Sequence, residues 1–164
     1  IFYLKNIVWK NFSRECGFTN RIFKGTYDVA LSFAGSDRNI AKLFFDKLSE
    51  RQMAVFYDFN EQHNILAENV ENYLAPIYAS ESEFVIPILS PEYPNRIWTK
   101  FESDQFKDRF GHNAVIPVKL STAKDGFFSE DRKYGGIYID MDKDVDSQVQ
   151  EACELIAKKL LELS

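Results

Sequence analysis

Residues 27–38 read YDVALSFAGSDR: an apolar run of one strand's length, a glycine in a small polar turn, and polar residues that suit the opening of a helix. Directly behind it, residues 39–51 set Ile40, Leu43, Phe44 and Leu48 on one stripe at the helical period, with Ser36 or Asp37 placed to cap the first turn. Strand, tight turn and amphipathic helix in this order predict the first half of a βαβ unit.

The same alternation continues along the chain. Short apolar runs recur at 54–58 (AVFYD), 84–89 (FVIPIL), 114–120 (AVIPVKL) and 137–140 (IYID). Between them, residues 68–78 carry Val70, Tyr73, Leu74 and Ile77 at helical spacing, and the last helix carries Val149, Ala152, Cys153, Ile156, Leu160 and Leu163. Residues 91–110 are less regular; there Trp98, Glu102 and Arg109 recur on one helical face, with Ile97 and Phe101 on the next. The middle runs are apolar at both parities, as strands covered on both faces must be. Because crossovers between parallel strands are right-handed, the pattern predicts a doubly wound, five-stranded parallel sheet of flavodoxin-like order in a three-layer αβα sandwich. Ligands of such sheets bind beyond the carboxyl ends of the strands. Those ends are Phe33, Ala34, Gly35 and Ser36 after the first strand, Asp58 after the second, Ser90 after the third and Leu120 after the fourth.

Composition narrows the class. A chain of 164 residues, 45% of them apolar, suits one domain with a substantial core. With 25 acidic and 20 basic side chains the formal charge is −5, which gives no basic footprint for direct nucleic-acid binding. Cys16 and Cys153 lie far apart, outside any CxxC or Cys/His cluster, which argues against a disulfide framework and structural zinc and for a reducing compartment. No apolar run approaches the roughly 18 residues of a membrane span, and the first residues do not read as a signal peptide, so a cytoplasmic protein without membrane contact is expected. Residues 1–25 interleave aromatic and basic side chains without a period and read as a linker or the tail of a preceding module, with the domain at 26–164. Since the chain opens on Ile1 rather than Met, an excised or processed piece of a longer protein is expected.

Few residues invite catalysis. The FAGSD turn is neither a GxGxxG fingerprint nor a P-loop; it reads as a simple capped turn or as a place where ligand can approach backbone. His63 and His112 sit in no triad or HExxH pattern, and Asp142, Asp144 and Asp146 lack the glycine and distal glutamate of a calcium loop, so a helix-start charge cluster is expected there and no metal. Trp98 and Glu102, four residues apart, would stand side by side on a helix. An aromatic plate beside a carboxylate suits a planar ligand that develops positive charge; a half-buried tryptophan beside a solvated acid is the plainer alternative.

Taken together, these motifs resemble the TIR (Toll/interleukin-1 receptor) domain family, in its bacterial branch, over about residues 26–163. YDVALSFAGSDR is similar to the family's box 1, AVFYD with FNEQHNILAEN to its second strand and BB loop, and FVIPILSPEY with WTKFE to its third strand and following helix. Residues 59–69 carry neither the glycine nor the proline common in that loop. Enzymatic members cleave the nicotinamide–ribose bond of NAD⁺ with a glutamate four residues after a tryptophan, which here implies Glu102 as catalytic and Trp98, with the strand-end residues Phe33, Ala34, Gly35, Ser36 and Asp58, as substrate-binding. The resemblance further implies NAD⁺ as substrate with no other cofactor, release of ADP-ribose or a cyclised form, activation by homotypic self-association driven by a sensor domain or partner missing from this chain, and a part in anti-phage defence or immune-type signalling. A non-catalytic adaptor working through TIR–TIR contacts, or a nucleoside-processing enzyme of the deoxyribosyltransferase type, are the other functions the pattern admits.

Overall fold

The computed structural model describes residues 27–57, 74–93, 109, 114–123 and 135–162. Its centre is a sheet of five strands, β1 Tyr27–Ser32, β2 Val55–Phe56, β3 Ser82–Leu89, β4 Val118–Leu120 and β5 Ile137–Ile139, in the order β2-β1-β3-β4-β5. Every neighbouring pair is parallel, the flavodoxin-like order expected from the alternation.

The period of two along the strands sorts side chains between the two faces. Val29 and Leu31 of β1 and Phe84, Ile86 and Ile88 of β3 enter one core with helices α1, Arg38–Glu50, and α2, Val145–Glu162. Ala30 and Val85 point the other way and meet Phe56, Leu74, Ile77, Tyr78 and Val115. Each helix buries the stripe its sequence marks: Ile40, Phe44 and Leu48 from α1, and Val149, Ala152, Cys153, Ile156 and Leu160 from α2. Burial pushes the Cys153 thiol up to about 12, so this cysteine is inert packing. Across the groove between the helices, Lys47 reaches Asp146 at 2.9 Å and Arg51 reaches Glu154 at 3.3 Å, exposed pairs that add little to stability.

Two boundaries differ from the sequence reading, each for a definite reason. The fourth apolar run, 114–120, yields a strand only at Val118–Leu120, with Val115 in an isolated bridge to Val85. The register that pairs Val85 with Val115 and Ile88 with Val118 sets Pro87 beside Pro117, where neither residue has an N–H for the ladder. Pro117 also dictates its neighbour on β5: a methyl group on Gly136 would stand 2.7 Å from the Pro117 carbonyl oxygen and 2.9 Å from its ring, so only glycine fits. The second difference lies before β3. The helical segment entering it widens to π-helical pitch over Ile77–Glu81 and passes directly into the strand at Ser82, two residues before the apolar run begins. Arg109 makes this junction possible by donating to the carbonyls of Tyr78, Ser82 and Glu83 at 2.9, 2.7 and 2.9 Å. Half-buried, it is held somewhat below its ordinary pKa by desolvation yet stays charged.

Helix α1 ends in a Schellman motif, with Met53 N donating to Leu48 O at 3.2 Å and Gln52 N to Ser49 O at 2.8 Å. The motif places Gln52 at φ 60, left-handed backbone that suits glycine. Gln52→Gly should therefore raise stability by up to about 1 kcal/mol, the relief of the left-handed strain less the added freedom of the unfolded chain. A urea denaturation midpoint that falls in this variant would contradict the reading.

Candidate functional site

In the observed strand order the chain leaves β1 toward β2 on one side and later returns to β3 on the other. The carboxyl ends of β1 and β3 therefore diverge, opening the crevice in which doubly wound sheets bind their ligands. Four of the expected site residues form the β1 side of it. Phe33 and Ala34 are buried, so what they offer at the crevice is chiefly backbone, whereas Gly35 and Ser36 are exposed. The Phe33 ring stacks on Tyr57 at 5.4 Å, Tyr57 stacks on Phe45 at 5.3 Å, and the Arg38 guanidinium lies 6.0 Å from the Phe33 centroid. This aromatic column ties the loop after β1 to the end of β2 and to α1.

Gly35 opens a short 3₁₀ turn, Gly35–Asp37, that leads into α1 and is closed by Asp37 N donating to Ala34 O at 2.8 Å. Its backbone is not left-handed, and among the described residues a methyl group there would meet no atom within 4 Å. The described residues thus impose no need of glycine at this position and leave the space above it open. Asp37 holds the N-cap position of α1 expected from the sequence, but its carboxylate makes no capping bond to the helix. It accepts instead from the hydroxyl of Ser90, the residue that follows β3. A second bond, Ser32 Oγ to Tyr93 OH at 2.7 Å, crosses the same gap between buried side chains.

Leu120 ends β4, as expected, buried and away from the β1–β3 crevice. Asp58, Trp98 and Glu102 lie outside the described residues, as do Cys16, His63 and His112; Tyr57 and Tyr93 are the described residues that lead toward the first three. Asp142, Asp144 and Asp146 flank the start of α2, where Asp146 pairs with Lys47; among the described residues no group of acids, histidines and cysteines is arranged to hold a metal ion. The sequence reading missed Tyr57, Tyr93 and Ser32 as parts of this region. The one signal available was a serine ending an otherwise apolar strand run, which asks for a buried partner.

If the open space above Gly35 is where ligand approaches backbone, Gly35→Ala should keep or slightly raise the thermal midpoint, as glycine replacements at unstrained positions do by about 0.4–1 kcal/mol, while lowering turnover. Unchanged turnover in a normally folded variant would remove this loop from the site.

Comparison with known proteins agrees with the architecture. The family model described as TIR domain matches residues 29–156. The chain is 36% identical over 76 residues to the 3' cyclic ADP-D-ribose synthase AaTIR of Aquimarina amphilecti, a stretch covering 46% of this chain and 23% of that protein, so only about a quarter of that relative's length is spanned. Among solved structures, a metazoan TIR-STING receptor from C. gigas in complex with 2',3'-cGAMP aligns with a TM-score of 0.62 at 20% identity, over 79% of this chain and 40% of that one. The TIR domains of the activated Roq1 resistosome, which directly recognizes the pathogen effector XopQ, align with a TM-score of 0.50 at 22% identity, over 80% and 84%. At such identities the two structures speak for the fold. With the parallel 2-1-3-4-5 sheet, the box 1 loop at its switch point and a family model matched across most of the chain, this protein belongs to the TIR domain family.

Proposed function

We propose that this TIR domain breaks the nicotinamide–ribose bond of NAD⁺. The observation that carries the reading is the likeness to a relative named for making cyclic ADP-ribose, since NAD⁺ is ADP-ribose bearing nicotinamide on its anomeric carbon. The crevice at the β1–β3 switch point, floored by the exposed Gly35 and Ser36, supplies a place of the right kind for a dinucleotide.

In the proposed reaction the C–N glycosidic bond breaks and its electron pair departs with nicotinamide, which becomes neutral. No acid is needed to protonate that leaving group. Positive charge gathers on the ribosyl carbon, and the Glu102 carboxylate stabilises it electrostatically, with the Trp98 indole as the wall that holds the substrate. Attack by water gives ADP-ribose and a proton; attack by a hydroxyl of the same molecule gives the cyclised product and a proton. Self-association, driven by a sensor or partner, would raise activity by completing the site between neighbouring copies.

A second reading, an adaptor acting through homotypic contacts alone, draws on the exposed apolar side chains of Tyr138 on β5 and Met141 just beyond it. The two readings separate on one substitution. Glu102→Gln should abolish nicotinamide release from NAD⁺, by at least about a hundredfold, while the far-ultraviolet spectrum and thermal midpoint stay parental. Near-parental turnover in this variant would remove Glu102 from the chemistry, and no turnover in the parent under self-associating conditions would favour the adaptor.

A further inference from the structure

The backbone ladder between β1 and β3 ends with Ser32 opposite Pro87. Beyond that pair the two chains diverge: β1 runs into the 33–37 loop, while β3 goes on beside β4 through Ile88 and Leu89. Side chains take over where the ladder stops. Ser90 Oγ donates to the Asp37 carboxylate, and Ser32 Oγ and Tyr93 OH lie 2.7 Å apart. Three of these four residues, Ser32, Ser90 and Tyr93, are at most 2% exposed.

Two features distinguish this pairing from the routine satisfaction of a buried hydroxyl. First, Asp37 stands at the N-cap of α1, where a carboxylate commonly bonds the helix's own amides for about 1 kcal/mol, yet here it makes no such bond and turns to Ser90 instead. Second, Asp37 is not loosely attached to the loop. Its amide closes the 34–37 turn on Ala34 O at 2.8 Å, so the residue that carries the carboxylate is also tied to the loop's backbone.

We propose that Asp37 and Ser90, together with the Ser32–Tyr93 bond, brace the β1–β3 switch point and fix the spacing between the 33–36 loop and the chain leaving β3, which makes them positioning residues for the substrate crevice. Their effect on turnover rests on the NAD⁺ reading above; their effect on the loop does not. Small displacements of groups that hold a substrate in reacting geometry can cost about a hundredfold in rate, so a brace of this kind acts on catalysis without touching substrate.

The test measures amide hydrogen exchange by mass spectrometry, alongside NAD⁺ turnover, in the parent, Ser90→Ala and Asp37→Asn. In Ser90→Ala, peptides covering residues 33–38 should exchange at least about tenfold faster while those of α2 stay parental, and turnover per folded molecule should fall about tenfold or more. Asp37→Asn keeps an oxygen that accepts the Ser90 hydroxyl at unchanged volume, so its loop protection and turnover should stay within about threefold of the parent. Parental exchange at 33–38 in Ser90→Ala would overturn the brace, as would an increase shared equally by α2, which would mark Ser90 as a general stabiliser. Faster loop exchange with unchanged turnover would overturn the positioning role. Should the parent release no nicotinamide, the proposed function falls by itself, and the exchange data alone decide whether the brace exists.

Discussion

Strand β1 is paired on both edges and covered on both faces, and the rest of the structure follows from that confinement. Its neighbours β2 and β3 occupy its two sides, α1 and α2 cover Val29 and Leu31, and the segment ending in Tyr78 covers Ala30. Even the polar members of the strand are committed. Asp28, 2% exposed, accepts from Ala54 N at 2.8 Å and so fixes the turn before β2, while Ser32 bonds Tyr93. A strand enclosed in this way, with every side chain after Tyr27 buried, leaves the loop beyond its carboxyl end as the place for a ligand to approach.

The two ends of the sheet divide their work accordingly. At the amino end, Asp28 accepts from Ala54 N, and Arg109 donates to the Tyr78, Ser82 and Glu83 carbonyls, so these polar groups are bonded within the protein. At the carboxyl end, Asp37, Ser90, Ser32 and Tyr93 bond one another in the same way, while Gly35 and Ser36 stay exposed among the described residues. A hydrogen-bonded frame beside an exposed, glycine-containing loop suits the proposed crevice, since preorganised groups lose little on meeting a ligand.

Much of this was legible in the sequence because periodicity reports burial. The apolar runs located all five strands, and the stripes Ile40–Phe44–Leu48 and Val149–Cys153–Ile156–Leu160 located both faces of α1 and α2 that enter the core. Legibility failed where a boundary depends on a partner distant in sequence. Pro87 and Pro117 shorten β4 only because the register sets them side by side, and Ser82 and Glu83 belong to β3 only because Tyr27 and Arg109 hold them there. The site divides in the same way. The FAGSD segment is legible as a turn through its glycine and its place after a strand, whereas the diversion of Asp37 from its helix to Ser90 is a fact of three dimensions.

On the proposed function, NAD⁺ is bound and broken at the β1–β3 switch point. Adding NAD⁺ to the ¹⁵N-labelled protein under self-associating conditions and following nuclear magnetic resonance spectra in time tests place and chemistry together. The amides of residues 33–36 and Ser90 should shift, those of Asp28, Ala54 and Glu81 on the opposite end of the sheet should stay quiet, and resonances of free nicotinamide should grow as those of NAD⁺ decline. Shifts confined to the opposite end, or NAD⁺ that stays whole while the switch-point amides remain unmoved, would contradict it.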